Sequence, residues 1–208
     1  LVVWVFLAGL VGSRVAYVAT RLSDPGADIL AIAFNLRAGF VYYGGLIASW
    51  LFLNWQIKKM KLNFWAANDT FSLGICIGLA VGRIGCLVGG CCYGKPTDLP
   101  WGVVMARESA LGHLHPVQGY EFLFLVGLFA AMWIRRKSKS YEGELTVWFV
   151  ASYAVVRYIL EFFRGDSIRG FIIDDYLSTS QFISIPMLVV AGWIFWSRRR
   201  DQSQPKST

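Results

Sequence analysis

An arginine at the end of an apolar segment is the first residue of this chain that could bind a charged ligand. Arg83 follows the apolar run 71–81, and several glycines surround it, including Gly82, Gly85 and Gly94. Burying an unpaired arginine in lipid costs about 3 kcal/mol on insertion scales, so such a side chain normally faces a protein interior or a water-filled cavity. Glycine lets a ligand approach the backbone closely. The pattern therefore predicts a site for an anionic lipid headgroup.

A second arginine lies four residues before a glutamate, near the end of another apolar stretch. This spacing places Arg157 and Glu161 on one helix face, where the two side chains can pair. The pair is either structural, stabilising a helix bundle, or it lines an anion site in which Glu161 orients Arg157. Because a guanidinium can donate two hydrogen bonds at once, we expect Arg83 and Arg157 to converge on one phosphate.

Polar side chains also open the fourth apolar stretch, between His115 and Glu121. Pro116 suits a first helical turn, and a role in opening the helix would account for His115 as well. Gln118, Tyr120 and Glu121 need partners inside a membrane helix. These three side chains are therefore candidates for substrate binding or catalysis.

Two further helix ends carry candidate residues. Arg14 lies near the end of the first apolar stretch, where its side chain can either snorkel outward or bind an anion. Tyr43 precedes Gly44 and Gly45 at the start of the second stretch. Tyrosine at such a position is also typical of the aromatic belt at a membrane surface.

The four cysteines are Cys76, Cys86, Cys91 and Cys92. Adjacent cysteines rarely bridge each other without strain, so Cys86 is the expected partner if Cys91 or Cys92 forms a disulfide. Together with the nearby histidines, the cysteines match no standard zinc spacing. We therefore expect no metal and no cofactor.

The composition identifies the class of protein. Of the 208 residues, 56% are hydrophobic and 16% are charged, and the mean hydropathy is +0.50. These values exclude an ordinary soluble domain and are typical of a polytopic membrane protein. Nine Trp and nine Tyr can supply the interfacial belts.

Six apolar stretches are long enough to cross a hydrocarbon core of about 30 Å. They are residues 1–19, 40–57, 71–89, 118–134, 145–163 and 181–197. The predicted fold is therefore all-α, a polytopic membrane helical bundle. We expect one transmembrane domain over 1–198 with a non-cytoplasmic loop region at about 90–116. Residues 199–208 should form a disordered polar tail in the cytoplasm.

The distribution of basic residues predicts the orientation. The links after the second, fourth and sixth stretches are the more basic ones, and the positive-inside rule places them in the cytoplasm. Their basic residues are Lys58, Lys59, Lys61, Arg135, Arg136, Lys137, Lys139, Arg198, Arg199, Arg200 and Lys206. The net charge of +7 then reflects topology and contact with anionic lipid, and no nucleic acid is expected as a partner.

In their order along the chain, these motifs resemble those of the prolipoprotein diacylglyceryl transferase family. The resemblance covers most of the chain, and family members usually have seven spans, so one span is expected to precede those seen here. The similar segments are Arg14 with Tyr17, Gly39 to Leu46, Gly82 to Gly85 with Gly94 to Gly102, His115 to Glu121, Arg157 to Arg164, and Gln181 to Met187.

The resemblance implies an enzyme of the bacterial cytoplasmic membrane, with its active site on the non-cytoplasmic side. Such enzymes transfer the diacylglyceryl group of phosphatidylglycerol to the lipobox cysteine of a prolipoprotein, forming a thioether and releasing glycerol phosphate. The implied catalytic residues are Tyr43, Arg83, Glu121, Arg157 and Glu161. The implied substrate-binding residues are Arg14, Tyr17, Gly44, Gly45, Gly82, Gly85, Gly94, His115, Gln118, Tyr120 and Arg164.

Three positions depart from the family pattern. Tyr43 stands where the family has a histidine, Cys86 where it has an asparagine, and Cys91 where it has a glutamate. Tyrosine, with a pKa near 10, is a poor base, so Glu121, Glu161 or His115 is expected to take the thiol proton.

These departures leave other functions open. The chain could be a paralogue that transfers to another acceptor or from another lipid. It could also bind lipid or lipoprotein without catalysis. A transporter that uses the intramembrane arginines is the least favoured alternative, because no internal repeat is evident.

Overall fold

The structure is a computed structural model that describes residues 2–22, 42–105, 109–165, 171–173 and 177–203. The chain divides into two compact units, Leu1–Ala67 and Asn68–Thr208. The described residues contain six α-helices: α1 (Val2–Arg21), α2 (Tyr42–Lys59), α3 (Phe64–Gly89), α4 (Val117–Arg135), α5 (Glu144–Leu160) and α6 (Thr179–Ser203).

Small residues bring α1 and α2 together in the first unit. A Cβ atom added to Gly44 would lie 2.2 Å from the Cβ of Ala16 and 2.7 Å from the carbonyl oxygen of Gly12. One added to Gly45 would lie 2.9 Å from the carbonyl oxygen of Gly9. The two backbones therefore approach too closely for larger side chains, as in other glycine-mediated pairs of membrane helices.

Five of the six helices are long and apolar enough to cross a membrane. They are α1, α3, α4, α5 with the following turn to Phe163, and α6. At most 33% of the apolar window of each is buried inside the protein, so most apolar side chains point outward, where lipid would contact them. The polytopic helical fold is confirmed. The helix α2 does not meet the criterion, because its last turns contain Asn54, Gln56, Lys58 and Lys59.

The core of the second unit lies between α3, α4 and α5. Its buried members are Cys76, Ala80, Leu125, Leu128, Met132, Leu145 and Phe149. The Sγ atom of Cys76 donates a hydrogen bond to the carbonyl oxygen of Leu125 at 3.3 Å. This contact fixes one face of α3 against α4.

Asp69 connects the start of α3 to the start of α5. Its carboxylate accepts hydrogen bonds from the backbone N–H of Gly143 at 2.9 Å and of Thr146 at 3.0 Å. The Thr146 hydroxyl at 3.0 Å and the Lys139 ammonium at 3.1 Å also donate to it. Asp69 thus satisfies N–H groups that lack partners at a helix N-terminus, from a different helix.

The loop region between α3 and α4 is held by backbone hydrogen bonds. Gly94 N–H donates to the His115 carbonyl at 2.9 Å, and Val103 and Leu114 exchange two bonds of 3.0 Å. Lys95 N–H donates to the Phe163 carbonyl at 2.8 Å, which attaches the loop to the end of α5. Two short antiparallel strands, β1 (Phe171–Ile173) and β2 (Leu177–Ser178), precede α6.

Two helix boundaries differ from the predicted ones by more than one helical turn. The predicted third span began at residue 71, whereas α3 begins at Phe64, because Asn63 caps it by accepting from the N–H groups of Trp65 and Ala66. The predicted disordered tail began at 199, and this is wrong for its first part, since α6 continues to Ser203. The guanidinium of Arg199 lies over the ring of Phe195, one turn earlier, at 4.8 Å.

Candidate active site

Arg83 and Glu121 form an ion pair between α3 and α4. The Nη2 atom of Arg83 lies 2.9 Å from Oε1 of Glu121. The carboxylate is almost fully buried, with 2% of its side chain exposed, whereas 18% of the arginine side chain is exposed. The acid is thus enclosed, and part of the cation stays accessible to a ligand.

A second ion pair lies at the end of α5. The Nη2 atom of Arg157 lies 3.2 Å from Oε2 of Glu161 and donates to the Ser180 hydroxyl on α6 at 2.8 Å. Arg164 approaches the same carboxylate oxygen at 3.8 Å. The pairing of Arg157 with Glu161 is confirmed, and Glu161 is also buried while 14% of the Arg157 side chain is exposed.

Tyr153 joins the first ion pair, and the sequence analysis did not identify it. Its hydroxyl donates to Oε1 of Glu121 at 3.0 Å, and Tyr153 lies one turn before Arg157 on α5. A signal was present in the sequence: Tyr153, Arg157 and Glu161 are spaced by four residues and share one helix face.

A chain of hydrogen bonds fixes the His115 ring. Trp101 Nε1 donates to the Tyr120 hydroxyl oxygen at 2.9 Å, and this hydroxyl lies 3.1 Å from Nδ1 of His115. Because indole nitrogen only donates, the hydroxyl proton of Tyr120 can point to Nδ1. That arrangement favours the tautomer with the proton on Nε2, which makes Nε2 of His115 a donor.

Among the predicted ligand-binding glycines of the second unit, the structure provides a packing reason for Gly94 but not for Gly82 and Gly85. A Cβ atom at Gly94 would lie 2.4 Å from the Cβ of His115 and 2.7 Å from its carbonyl oxygen. At Gly82 and Gly85, no described atom outside the neighbouring helix backbone lies within 4 Å of an added Cβ. Gly82 and Gly85 therefore leave open space beside Arg83, while Gly94 permits a close backbone contact.

Gln118 is nearly fully buried on the first turn of α4. Its Nε2 donates to the carbonyl oxygen of Cys91 at 2.5 Å, and its Oε1 has no hydrogen-bond partner among the described residues. The side chain thus holds the end of the α3 segment against α4, with one acceptor remaining for a ligand.

Five predicted site residues lie in the described helices of the first unit. Arg14 lies 5.3 Å from the centre of the Tyr17 ring, and Gly44 and Gly45 form the contact between α1 and α2 described above. Tyr43 lies in the first turn of α2, and its side chain falls outside the described ones. Their roles in substrate binding stay predictions.

Three of the four cysteines cluster where α3 ends. The Sγ atoms of Cys86, Cys91 and Cys92 all lie within 4.8 Å of one another, and none of these residues is in a disulfide. Burial of the thiol, followed by the neighbouring cysteines, raises the pKa of Cys91 to about 11. The structure thus brings together residues that the sequence spacing alone did not assign to a site.

Residues 1–197 match the family described as prolipoprotein diacylglyceryl transferase. The chain belongs to this family. Its relatives include phosphatidylglycerol–prolipoprotein diacylglyceryl transferases from three bacteria. The Clostridium tetani protein is 34% identical over 91% of this chain and 76% of its own length. The Legionella pneumophila protein is 32% identical over 93% and 76%, and the Pseudomonas aeruginosa protein is 31% identical over 100% and 79%.

Membership in the diacylglyceryl transferase family confirms the predicted family and the predicted transferase class. It also agrees with the geometry, because a transferase of this name handles a phospholipid. The side chains of Arg83 and Arg157 are largely buried, and 18% and 14% of them remain exposed.

Proposed function

We propose that this chain transfers the diacylglyceryl group of phosphatidylglycerol to the thiol of a prolipoprotein's lipobox cysteine. In this reaction the sulfur forms a bond to the terminal glycerol carbon as the bond between that carbon and the phosphate oxygen breaks. The products are a thioether, glycerol phosphate and the proton of the thiol. The observation that carries the proposal is the pair of partly exposed arginines, Arg83 and Arg157, each in contact with a buried glutamate, in a member of this family.

Arg83 and Arg157 hold the phosphate in this proposal. Each guanidinium has five N–H donors, and the contacts of Arg157 to Ser180 and Glu161 use only Nη2. The remaining donors suit two phosphate oxygens. As the leaving phosphate gains charge, these contacts strengthen, which lowers the barrier.

Glu121 and Glu161 act first as positioning residues. Each is buried and contacts an arginine, so each fixes the direction of a guanidinium before the lipid arrives. The thiol proton also needs an acceptor, and these carboxylates are better matched to that task than a phenol such as Tyr43, whose ordinary pKa is near 10.

His115 stabilises the leaving glycerol phosphate by a hydrogen bond and does not take the proton of the thiol. The bond to Tyr120 favours a proton on Nε2, and this N–H can donate to a phosphate or glycerol oxygen.

We place the enzyme in the bacterial cytoplasmic membrane with this site facing away from the cytoplasm. The support is the excess of basic residues at the opposite helix ends.

A transfer assay tests the proposal. Purified protein is mixed with phosphatidylglycerol vesicles and a peptide that contains a lipobox cysteine, and the thioether product is measured by mass spectrometry. A peptide with serine in place of cysteine is the matched control. Product from the cysteine peptide alone supports the proposal. If neither peptide is modified, and the gene does not rescue a strain depleted of its own transferase, the proposal is wrong.

A further inference from the structure

The thiols of Cys86, Cys91 and Cys92 converge at a point just beyond the last turn of α3. Their Sγ atoms lie within 4.8 Å of one another, with Cys86 and Cys92 partly buried and Cys91 exposed. The fourth cysteine, Cys76, is fully buried in the core and bonds to Leu125. The cluster is therefore a separate group of soft donor atoms rather than part of the helix packing.

The end of α3 explains why Cys86 meets Cys91. Gly90 has a left-handed φ of 66°, and its N–H donates to the Leu87 carbonyl at 3.2 Å. Cys91 N–H donates to the Cys86 carbonyl at 3.1 Å. These two bonds form a Schellman motif, in which the side chains at the positions of Cys86 and Cys91 commonly come into contact.

The position of the third thiol depends on a strained backbone conformation at Cys92. Its φ of 60° is left-handed for a residue that is not glycine, a conformation that L-residues other than glycine rarely adopt because the Cβ atom crowds the backbone. A strained residue that persists in a fold is a reason to look for a function. Here the strain places a third sulfur beside the pair that the Schellman motif has already formed.

We propose that Cys86, Cys91 and Cys92 bind a zinc ion through three thiolates, with a fourth coordination position open. Zinc–sulfur bonds of about 2.3 Å in a tetrahedral site place the sulfurs roughly 3.8 Å apart, which small side-chain rotations achieve from the present arrangement. Three thiols and one Zn²⁺ give a complex of net charge −1 and release three protons. Three protein ligands with one open position are typical of catalytic zinc rather than structural zinc.

The open position suits the acceptor thiol, a role that rests on the proposed transferase function. Cys86 follows Arg83 by three residues on α3, so the two side chains are neighbours on one helix face. A thiol that binds Zn²⁺ loses its proton, so the acceptor cysteine would become a thiolate next to the phosphate site. The thioether product has no such charge and binds the ion more weakly, which allows it to leave.

The metal also reduces the need for a strong base. Tyr43 carries a phenol, which is a poor base at neutral pH. A zinc-bound thiol ionises without a strong base, so a carboxylate or solvent suffices to take the proton.

Zinc binding tests the site independently of catalysis. Full-length protein is purified in detergent with a phosphine reductant and titrated with Zn²⁺ against a chromophoric chelator, and proton release is followed in weak buffer. We expect one zinc per chain, released protons, and a sulfur-to-metal charge-transfer band when Co²⁺ replaces Zn²⁺. Cys76→Ser should match the unmodified protein.

Cys91→Ser and Cys92→Ser should each weaken Zn²⁺ binding by more than about tenfold, since even outer-shell changes cost 10- to 100-fold. Thermal unfolding of each variant checks that it still folds. Absence of stoichiometric zinc in the reduced protein, or equal zinc binding by the Cys91→Ser and unmodified proteins, would overturn the site. A disulfide from Cys86 to Cys91 or Cys92 in protein isolated from cells, together with no zinc uptake after reduction, would also overturn it.

The role of the open position is tested by transfer. Protein stripped of metal should lose product formation by at least about tenfold and regain it with Zn²⁺, whereas binding of phosphatidylglycerol should not change. If stripped protein transfers normally, the metal does not activate the thiol. If neither stripped nor zinc-loaded protein transfers, while zinc still binds one per chain, the proposed transferase function fails and the metal site stands.

Discussion

Arg83 and Tyr153 meet at a single oxygen atom, Oε1 of Glu121. The guanidinium lies 2.9 Å from it and the phenol oxygen 3.0 Å from it. The three side chains come from α3, α4 and α5, so one buried carboxylate joins three helices. This arrangement gives Arg83 a fixed direction while part of its guanidinium remains exposed.

Glu121→Gln should damage the protein far more than Tyr153→Phe. The first change leaves a largely buried guanidinium without its counter-charge, which typically costs about 3–5 kcal/mol. The second removes one hydrogen bond, worth about 0.5–1.5 kcal/mol. Thermal unfolding and transfer rate measure both effects. Tyr158→Phe is the matched control on the same helix, and similar losses for Glu121→Gln and this control would contradict the assignment.

Arg83→Ala and Arg157→Ala should each weaken binding of phosphatidylglycerol. The loss of one charge-assisted hydrogen bond costs about 1.5–3 kcal/mol, or roughly 10- to 150-fold in the dissociation constant. Lysine should rescue only in part, because the planar fork is lost. Arg136→Ala, on an arginine that stacks on Trp133, should leave binding unchanged. Normal lipid binding by both alanine variants would refute the phosphate role.

Tyr43→Phe should retain measurable transfer. An ordinary tyrosine is ionised to about one part in a thousand at neutral pH, so a phenol at this position is better suited to orienting the substrate than to removing a proton. At least one of Glu121→Gln and Glu161→Gln should be much slower. Lipid binding must be measured alongside, because both changes also disturb an arginine. Loss of turnover in Tyr43→Phe alone would require tyrosinate chemistry.

Gly94→Ala should destabilise the loop region between α3 and α4. The added methyl group would lie 2.4 Å from the His115 Cβ and 2.7 Å from its carbonyl oxygen, and overpacking of this kind costs about 1–3 kcal/mol. Gly127→Ala, where no described atom outside the helix backbone lies within 4 Å of the new Cβ, is the control. Limited proteolysis of the loop should accelerate in the first variant and not in the second.

The ion pair of Lys139 and Asp69 should weaken only in strong alkali. Burial alone would lower the pKa of Lys139, but hydrogen bonds to Glu142 and Asp69 outweigh it and raise the pKa. A raised pKa in the folded state gives stability that is complete below the unfolded value, about 10.4, and disappears as pH rises through the folded value. Unfolding measured against pH should show this loss, and Lys139→Met should not.

The fold could be predicted from the sequence because long apolar stretches have few alternatives in a membrane. All six predicted stretches contain helices. The start of α3 was missed because Asn68, Asp69 and Thr70 read as a polar link. These residues are helical because the carboxylate of Asp69 finds its partners around the start of α5, which no local pattern reveals.

The site could be predicted only where its contacts are local. Arg157 and Glu161 are four residues apart, and their pairing followed from helix geometry. The partner of Arg83 comes from a different helix, and the sequence offered Glu121 only as one of several candidates. The convergence of the three cysteines depends on the turn after α3, where the left-handed backbone of Cys92 is not visible in residue types.

Asp69 also makes the completion of α3 depend on a segment that the ribosome has not yet produced. Its partners lie between 70 and 77 residues further along the chain. Until those residues emerge, an acidic side chain at the start of an apolar helix lacks the lysine and the helix N-terminus that neutralise it. Chains that stop before Lys139 therefore lack every partner that the carboxylate of Asp69 has in the folded protein.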